Sequence, residues 1–340
     1  MTIIESNKND NNIETSARFS VAPMMDWTDR HCRYFHRQFT KKSLLYTEMI
    51  AAAALVQGKA YHLLDYSSEE HPVALQLGGS DPIQLAEAAS IGESYGYDEI
   101  NLNVGCPSDR VQSGSFGAVL MKNPRLVGAC CEAMKKNTSI DVTVKCRIGV
   151  DDQDPEEILP EFLSHISNSG VRRVIIHARK AILKGLSPKE NRDVPPLDYE
   201  IVFKMKEKFP NLHISLNGGV TSIDIARELI RRGIDGVMIG RSAYQQPTLI
   251  LSNVDKDVFG EKSNRSAFDV AELMRAYLEE HCDKGGKPHQ VTRHMTGLFY
   301  GLPGAKIWRQ YLSNGPGNVN IDFYEEALVA VTDSINKSAA

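Results

Sequence analysis

A cysteine that follows a short β-rich segment is the first residue in this sequence whose type and position suggest catalysis. Cys106 comes three residues after the predicted strand Glu99–Asn103 and directly before Pro107. A free thiol has a pKa of about 8.5, so at neutral pH it is mostly protonated and can donate a proton. The sequence pairs Cys106 with no obvious activating base, which favours general-acid chemistry over nucleophilic attack. The alternative is a cysteine packed as a small hydrophobe. We interpret the remaining cysteines in that way: Cys32, Cys130, Cys131, Cys146 and Cys282.

Side chains near other predicted strand ends are suited to a polar or anionic ligand. Period-two alternation puts Lys145 on one face with Thr143 and Arg147, and in a closed parallel barrel that face is the interior or the mouth. A buried lysine is unfavourable unless it meets an anion or a polar ligand. A structural ion pair is the alternative. His177 ends its strand and Gln76 lies near the end of another, but each taken singly is more typical of a hydrogen-bonded core residue, and their significance comes from converging on one mouth.

Glycine-rich segments end the last two predicted strands. Asn217-Gly218-Gly219 ends the seventh strand, and Gly240-Arg241 follows the eighth. Glycine lets backbone N–H groups approach an anion closely, and the arginine adds charge. Segments of this kind before helix N-termini form the phosphate site of many α/β barrels, although each alone is equally typical of a plain turn.

The elements that must position these residues alternate along the chain. Asp81-Pro82, Asn123-Pro124 and Asp154-Pro155 each combine an N-cap with proline at the first helical position, which predicts helix starts between strands. The alternation predicts a parallel sheet closed as a (β/α)8 TIM barrel, with an open doubly wound sheet as the alternative. Polar or glycine residues at nearly every strand end favour the barrel. The predicted strands are Arg18–Met24, Leu44–Glu48, Val73–Leu77, Glu99–Asn103, Val142–Arg147, Arg173–His177, His213–Asn217 and Gly236–Ile239.

The strand pattern ends near Tyr244, and helical patterns dominate after a polar linker over 253–264. The predicted helical segments are Ala267–Asp283, a stretch around Val291–Tyr300, Ala305–Leu312 and Asp322–Ile335. We therefore divide the chain into a disordered N-terminal tail over 1–17, a barrel over 18–252 and a small helical domain over 265–340.

Composition excludes several classes of protein. The chain has 340 residues, of which 42% are hydrophobic and 24% charged, and these proportions are typical of a folded globular protein. No apolar run approaches the roughly 20 residues that span a bilayer, and the polar N-terminus lacks a secretory pattern. The cysteines lack metal-ligand spacing, which predicts reduced thiols and no metal. We expect a cytoplasmic, monomeric protein that has no membrane partner.

Two basic stretches contrast with the net charge of -4. The first is Arg179–Arg192, and the second, Lys284–Gln310, has no acidic residue and contains several aromatic and histidine side chains. Cations interleaved with aromatics suit a phosphate backbone and unstacked bases. For either stretch alone, a solvated face is the more usual interpretation. Together they predict a clamp for a long anionic substrate.

Six motifs, found in order over about residues 18–335, resemble those of the tRNA-dihydrouridine synthases. The segment over 180–192, followed by Pro195-Pro196-Leu197-Asp198-Tyr199, resembles the A subfamily. The six motifs are Ala22-Pro23-Met24, the run from Asn101 to Ser108, the run from Val144 to Gly149, Ile176-His177-Ala178-Arg179, Asn217-Gly218-Gly219 and Ile239-Gly240-Arg241.

The resemblance implies an FMN-dependent barrel with a C-terminal helical domain that binds tRNA. It implies reduction of the C5–C6 double bond of a D-loop uridine, in this subfamily at positions 20 and 20a, with NADPH as reductant. By the same resemblance, hydride passes from flavin N5 to C6 of the uracil, and Cys106 donates the proton to C5. Lys145 stabilises the anionic reduced flavin. Because no typical Rossmann fingerprint is present, we expect NADPH to use the same mouth.

The resemblance also assigns the remaining site residues. Those expected to contact FMN are Pro23, Met24, Met25, Gln76, Lys145, His177, Asn217, Gly218, Gly219, Gly240 and Arg241. Those expected to contact tRNA are Asn103, Lys184, Ser187, Lys306 and Arg309.

Three alternative functions stay open at the level of sequence. A flavin barrel that acts on a free pyrimidine, as in the dihydroorotate dehydrogenases, shares the lysine and the phosphate site but needs no helical domain. A flavin-free aldolase or isomerase would use Lys145 as a Schiff base, and bound yellow FMN would exclude it. An RNA-binding module with a vestigial site is the third, and flavin reduction by NADPH would exclude that.

Overall fold

The eight predicted strands close into a parallel barrel in strand order β1 to β8. The structure is a computed structural model that describes residues 13–108, 114–262, 265–314 and 321–339. The ladder closes where Phe19 pairs with Val237 across the first and last strands. The predicted TIM barrel is therefore confirmed, and the open doubly wound sheet is excluded. The strands are β1 (Phe19–Val21), β2 (Leu44–Ala51), β3 (Val73–Gly78), β4 (Glu99–Val104), β5 (Asp141–Arg147), β6 (Arg173–His177), β7 (His213–Asn217) and β8 (Gly236–Ile239).

Helices alternate with the strands and begin where the sequence predicts. Asp81 accepts hydrogen bonds from the backbone of the first turn, and Asn123 and Asp154 cap their helices in the same way, each with proline at the start of the helix. The barrel helices are α2 (Arg30–Phe39), α3 (Ala52–Val56), α4 (Pro82–Ser94), α5 (Pro124–Asn137), α6 (Pro155–Asn168), α7 (Tyr199–Lys208) and α8 (Ile223–Arg231), after a short α1 (Ile13–Ser16).

Further helices continue the chain from β8 through the C-terminal part. These are α9 (Arg241–Gln245), α10 (Pro247–Leu251), α11 (Val254–Asp257), α12 (Ala267–Asp283), α13 (Pro288–Thr292), α14 (Ala305–Asn314) and α15 (Asp322–Ala339). In the predicted linker, buried Asp255 accepts from the backbone N–H of Lys41 at 2.7 Å and from the Thr40 hydroxyl. The linker is thereby tied to the end of α2.

The predicted disordered tail over 1–17 is corrected at its C-terminal end. Residues 1–12 lie outside the described residues, but α1 is helical and Ala17 is buried. Ile13 packs against the cluster inside the barrel that contains Leu44 and Tyr46. An apolar and a small side chain thus close the barrel at the end where the strands begin, and this burial orders the segment.

The predicted helical stretch around Val291–Tyr300 is also corrected, because α13 ends at Thr292 and turns follow. A Cβ at Gly297 would lie 2.3 Å from the carbonyl oxygen of Gln245, so the chain passes close to the end of α9 here. Close backbone approach and the following Gly301, at φ 81°, favour turns over a continuous helix.

The C-terminal helices pack on α2. The rings of Tyr34 and Tyr277 stack with centroids 3.9 Å apart, and His31 Nδ1 lies 2.8 Å from the Tyr277 hydroxyl. Arg293 donates to the Asp29 carboxylate at 2.5 Å, and buried His294 lies 3.0 Å from the same group. Aromatic and ionic contacts therefore fix these helices against the barrel.

Burial within the barrel is divided between two layers. Apolar side chains on the outer faces of the strands, Cys146 among them, pack under the helices in one large cluster. The interior mixes a few apolar groups with buried polar ones that include Glu99, Asn101, Thr143 and Arg173. Among the described residues, no helix is long and apolar enough to cross a membrane, and no group of His, Cys, Asp or Glu side chains is arranged for a metal ion.

Candidate active site

Cys106 lies in the loop after β4, with its backbone held from several directions. The Asn103 Oδ1 atom accepts from the backbone N–H groups of Gly105 at 3.1 Å and Cys106 at 2.9 Å. The Cys106 carbonyl accepts from Ala118 N at 2.9 Å, and Arg147 Nε donates to the Gly105 carbonyl at 3.2 Å. The side chain of Cys106 is partly exposed at the mouth. The loop therefore presents the thiol from a fixed backbone.

Asn103 and Gln76 are joined directly. Asn103 Nδ2 donates to Gln76 Oε1 at 2.8 Å, and Gln76 Nε2 donates to Asn101 Oδ1 at 2.8 Å. Gln76 is 1% exposed and Asn103 9%. The predicted flavin contact and the predicted substrate contact thus form one hydrogen-bonded group beneath the Cys106 loop.

Lys145 projects from β5 with only part of its side chain exposed. Its Nζ donates to Asn217 Oδ1 at 3.1 Å, and Asn217 Nδ2 donates to the Met238 carbonyl at 2.8 Å, which fixes the amide orientation. Within the described part of the chain Lys145 forms no ion pair. Burial, with Arg147 nearby, lowers the pKa of Lys145 to about 8. The ammonium group therefore lacks a counter-ion, and the structural ion pair considered as an alternative is not found.

His177 ends β6 and is buried in a cationic surrounding. Burial, followed by the charges of Arg147, Lys145 and Arg179, holds the pKa of His177 well below its ordinary value. The imidazole is therefore neutral at neutral pH. Arg147 extends across the mouth and donates to the Asn191 carbonyl at 2.9 Å, which joins the Cys106 loop to the long loop after β6.

The turn after β7 requires its glycines. Gly218 has φ 106° and Gly219 φ 68°, and a Cβ at Gly218 would lie 2.6 Å from the His177 ring. Leu197 occupies the space beside Gly219, and the Tyr199 hydroxyl donates to the Gly218 carbonyl at 2.7 Å. The turn is thus a tight backbone cradle in which Gly218 is partly exposed and Gly219 is exposed.

Arginines gather around this cradle. Arg241, at the start of α9, forms a two-pronged ion pair with Asp193 at 2.7 and 3.1 Å. Arg179 donates to the backbone carbonyls of Asp193 and Pro195, while its buried Nε has no partner among the described residues. Burial and the charge of Arg241 lower the pKa of Arg192. This side of the mouth is strongly cationic.

The loop after β1 forms the adjacent wall, because β1 pairs with β8 in the closed barrel. Met24 N donates to the Thr28 hydroxyl at 2.9 Å, and Asp26, at φ 63°, donates from its backbone to Glu48 Oε1 at 2.5 Å. Met25 is 55% exposed, and Pro23 is half-buried. The loop adjoins the end of β8, since a Cβ at Gly240 would lie 3.5 Å from the Met24 sulfur.

Comparison with known proteins identifies the family. The family described as Dihydrouridine synthase (Dus) matches residues 20–336. The tRNA-dihydrouridine(20/20a) synthase of Salmonella typhi is 53% identical over 320 residues, covering 93% of this chain and 96% of that protein. The chain belongs to the dihydrouridine synthase family. Two further relatives of the same name are 53% identical over 325 residues in Escherichia coli (strain K12) and 51% identical over 326 residues in Vibrio parahaemolyticus serotype O3:K6 (strain RIMD 2210633). They cover 94% of this chain each, and 93% and 99% of their own lengths.

A solved structure resembles this dihydrouridine synthase in fold alone. TcOYE, in its crystal structure with pHBA, matches with a TM-score of 0.51 and 10% sequence identity, over 73% of this chain and 90% of that one. The likeness supports the barrel and carries no inference about the site.

The mouth fits the cofactor class of the dihydrouridine synthases, which are flavin-dependent oxidoreductases that reduce uridine to dihydrouridine in tRNA. A phosphate-bearing, anionic cofactor needs cationic groups and close backbone approach. The turn at Gly218 and Gly219, with positive φ, supplies the backbone approach, and the charge comes from Arg179 and Lys145, whose Nε atom and ammonium group respectively have no hydrogen-bond partner and no counter-ion among the described residues.

The residues predicted to contact tRNA in this dihydrouridine synthase lie in two places. Lys184 and Ser187 are exposed on the loop after β6, where the Ser187 hydroxyl accepts from Glu190 N at 3.2 Å. Lys306 and Arg309 are exposed on α14, three residues apart and so on one helix face. Asn103 is the exception, because it belongs to the buried group beneath Cys106.

Sequence reasoning missed two residues of the loop after β6. Asp193 directly follows the basic stretch Arg179–Arg192, and its position beside so many cations was a signal for an ion pair. Asn191, fully buried in the same loop, bonds both the N–H and the carbonyl of Ile182, at 2.7 and 2.8 Å. An asparagine in a polar loop carries no sequence signal for that structural role.

Proposed function

We propose that this chain is a tRNA-dihydrouridine(20/20a) synthase that uses FMN as cofactor and NADPH as reductant. The observation that carries the proposal is the convergence at one mouth of a partly exposed Cys106 thiol and a cationic wall in which, among the described residues, Lys145 forms no ion pair and Arg179 Nε has no hydrogen-bond partner. The names of relatives that are 51–53% identical over nearly their whole length support the tRNA positions. Cytoplasmic location and a monomeric state stay predictions from the sequence.

We expect FMN to contact residues on each wall of the mouth. Gly218 and Gly219 offer backbone N–H groups to the phosphate, with Gly240 at the neighbouring strand end and charge from Arg179 and Arg241. The other predicted contacts line the remaining walls. They are Pro23, Met24 and Met25 in the loop after β1, and Gln76, Lys145, His177 and Asn217 at the strand ends.

When bound and reduced by NADPH, FMN supplies hydride to C6 of the target uracil. The chain's own residues supply the rest of the chemistry. Lys145 provides positive charge for the anionic form of the cofactor, and neutral His177 offers a hydrogen bond without adding charge. As C6 accepts hydride, negative charge develops on the uracil toward C5 and O4. Cys106 then transfers its thiol proton to C5.

The proposed tRNA contacts would offset the free energy that is needed to bring the target uridine into the mouth. A uridine in the D-loop must leave its stack to enter the barrel, which costs a few kcal/mol. Exposed cations on two separate elements, Lys184 beside the mouth and Lys306 and Arg309 on α14, support a phosphate track that offsets this cost. A reductase of free pyrimidines needs neither. Family membership equally disfavours the Schiff-base barrel and the vestigial module.

The test is an assay with purified protein, NADPH and unmodified tRNA, with dihydrouridine mapped by mass spectrometry. We expect Cys106→Ala to retain FMN and to bind tRNA, but to turn over roughly 10²–10⁴-fold more slowly, the usual contribution of a positioned acid. Cys282→Ala, at the other partly exposed cysteine, is the matched control and should behave as wild type. Wild-type turnover in Cys106→Ala would contradict the role of Cys106. Absence of dihydrouridine with the wild-type, FMN-loaded protein would contradict the proposed function.

A further inference from the structure

A buried ion pair lies inside the barrel, on the side away from the mouth. Arg173 donates to Glu99 Oε2 at 2.6 Å, and both side chains are almost fully buried. The Tyr46 hydroxyl donates to Glu99 Oε1 at 2.8 Å, and the Thr143 hydroxyl donates to the same oxygen. Glu99 is thus a carboxylate with its charge compensated and its oxygens used as acceptors.

From Thr143 an unbroken series of side-chain hydrogen bonds leads to the mouth. Thr143 Oγ1 accepts from Asn101 Nδ2 at 2.8 Å, and Asn101 Oδ1 accepts from Gln76 Nε2 at 2.8 Å. Gln76 Oε1 accepts from Asn103 Nδ2 at 2.8 Å, and Asn103 Oδ1 accepts from the Cys106 backbone N–H at 2.9 Å. The four linking side chains are between 0% and 9% exposed. We call Thr143, Asn101, Gln76 and Asn103 the interior relay.

The direction of every bond in the interior relay is set at Glu99. A carboxylate only accepts, so the single hydroxyl proton of Thr143 is committed to Glu99 and Thr143 must accept from Asn101. A primary amide that donates through its NH2 group on one side presents its carbonyl oxygen on the other. Asn101 and Gln76 therefore each donate toward Thr143 and accept from the next residue toward the mouth. Asn103 therefore turns its carbonyl, and not its NH2 group, toward the Cys106 loop.

We propose that the interior relay positions the proton donor: Glu99, acting through Thr143 and Asn101, fixes the orientation of Asn103 and thereby the backbone that carries Cys106. This inference rests on the proposed role of Cys106. Thr143 and Asn101 are positioning residues, since neither reaches the mouth. A group misplaced by about 1 Å can cost roughly 10²-fold in rate, so a loosened loop is sufficient to affect turnover.

The test breaks the interior relay at Thr143. Thr143→Val keeps the side-chain shape but removes the hydroxyl, and Thr143→Ser keeps the hydroxyl. Ser215→Ala removes a different buried hydroxyl of the barrel interior, one bonded to His213 and outside the relay, and serves as the matched control. Amide hydrogen exchange at Gly105 and Cys106 is measured in the full-length, flavin-loaded proteins, together with kcat, KM for tRNA and flavin content.

In Thr143→Val we expect exchange at these two amides to be roughly 5-fold faster or more, because Asn103 is no longer held as their acceptor. We expect kcat to fall roughly 10–100-fold, with much smaller changes in KM for tRNA and in flavin content, because Asn103 and Gln76 are each one of several contacts predicted for these ligands. Thr143→Ser should restore both, and Ser215→Ala should match wild type. If Thr143→Val does not accumulate as folded protein, Asn101→Leu interrupts the same series and is scored by the same measurements.

Unchanged amide exchange in a folded Thr143→Val protein would overturn the interior relay. An equal loss of kcat in Ser215→Ala would also overturn it, because the loss would then come from removing any buried hydroxyl of the barrel interior and not from breaking the relay. Failure of the proposed function is recognised separately, by absence of dihydrouridine with the wild-type, flavin-loaded protein, and failure of the role of Cys106 by normal turnover in Cys106→Ala. The exchange result does not depend on turnover, so the relay and the function are tested apart.

Discussion

At the scale of single residues, the mouth combines groups whose ionisation is controlled by burial. Lys145 has no counter-ion in the part of the chain that the structure describes, and neutral His177 lies in the same cationic surrounding. A buried ammonium group is unfavourable for folding, and it persists where function needs it. Electrostatic strain in the ligand-free protein is therefore stored at the place where an anionic cofactor would relieve it.

The pH dependence of stability tests this reading of Lys145. Its pKa in the folded protein, about 8, lies below the ordinary 10.5, so the unfolded chain binds more protons between these values. The free energy of unfolding of the flavin-free protein should therefore rise with pH across that window. Relative to Lys145→Met, wild type should gain ~2–3 kcal/mol between pH 7.5 and 10.5. Urea denaturation across this range measures the gain, and parallel profiles would contradict a deprotonating buried lysine.

At the scale of elements, the strand ends and their turns do the positioning. The turn after β7 needs positive φ at two successive residues and brings its backbone against His177 and Tyr199. Only glycine meets both demands without strain. The neighbouring loop after β6 covers this turn with Leu197 and supplies Asp193 to Arg241. The turn after β7 and the loop after β6 therefore hold each other in place.

Gly218→Ala tests the turn after β7, and Gly233→Ala controls for backbone strain. Both glycines have nearly the same φ, 106° and 107°, but a Cβ at Gly233 meets nothing within 4 Å, whereas one at Gly218 collides with His177. Each variant should lose ~1–2 kcal/mol of stability from the backbone conformation. Only Gly218→Ala should also lose FMN affinity, by roughly 10-fold or more, since the cradle must move. Flavin fluorescence titration measures this, and equal affinities in the two variants would contradict a phosphate cradle at β7.

The bounds of several strands could be predicted from the sequence. The predicted bounds of β6, β7 and β8 agree with the structure at both ends, because Gly, Asn or His residues mark where these β-rich runs end. The predicted β1 was too long, since Pro23 lacks the N–H that a continued ladder needs. The interior relay was not predictable, because it depends on which residues of β3, β4 and β5 face each other in the closed barrel. Sequence reasoning put Thr143 on the correct face but could not supply its partners.

At the scale of the whole molecule, the helical C-terminal part is held to the barrel through α2. Asp29, the N-cap of α2, receives hydrogen bonds from Arg293 and lies against buried His294. Burial acts to raise the pKa of Asp29, but the hydrogen bonds and charges of His294, with Cys32 N and Arg293, hold the pKa well below its ordinary value. The Asp29 carboxylate therefore joins the loop after β1, the start of α2 and the C-terminal helices.

Asp29→Asn should weaken this junction. We expect a loss on the order of 2 kcal/mol in the free energy of unfolding at pH 7, as is typical of hydrogen bonds to a charged group, discounted for the partly exposed Arg293. Because the folded-state pKa is depressed, the advantage of wild type should fade as pH falls below about 4. Asp65→Asn, which breaks the exposed Arg30–Asp65 pair near the same helix, should cost far less. Equal losses in the two variants, measured by urea denaturation, would contradict a docking role for Asp29.

The central claim, that Cys106 completes the reduction of uridines 20 and 20a, is tested most directly in the cell. Dihydrouridine at these positions is mapped in tRNA from a strain that lacks this protein, and then after rescue with wild type or Cys106→Ala. The account predicts loss of the modification in the deletion strain, full restoration by wild type and none by Cys106→Ala. Unchanged dihydrouridine at both positions in a strain free of redundant synthases, or restoration by Cys106→Ala, would contradict it.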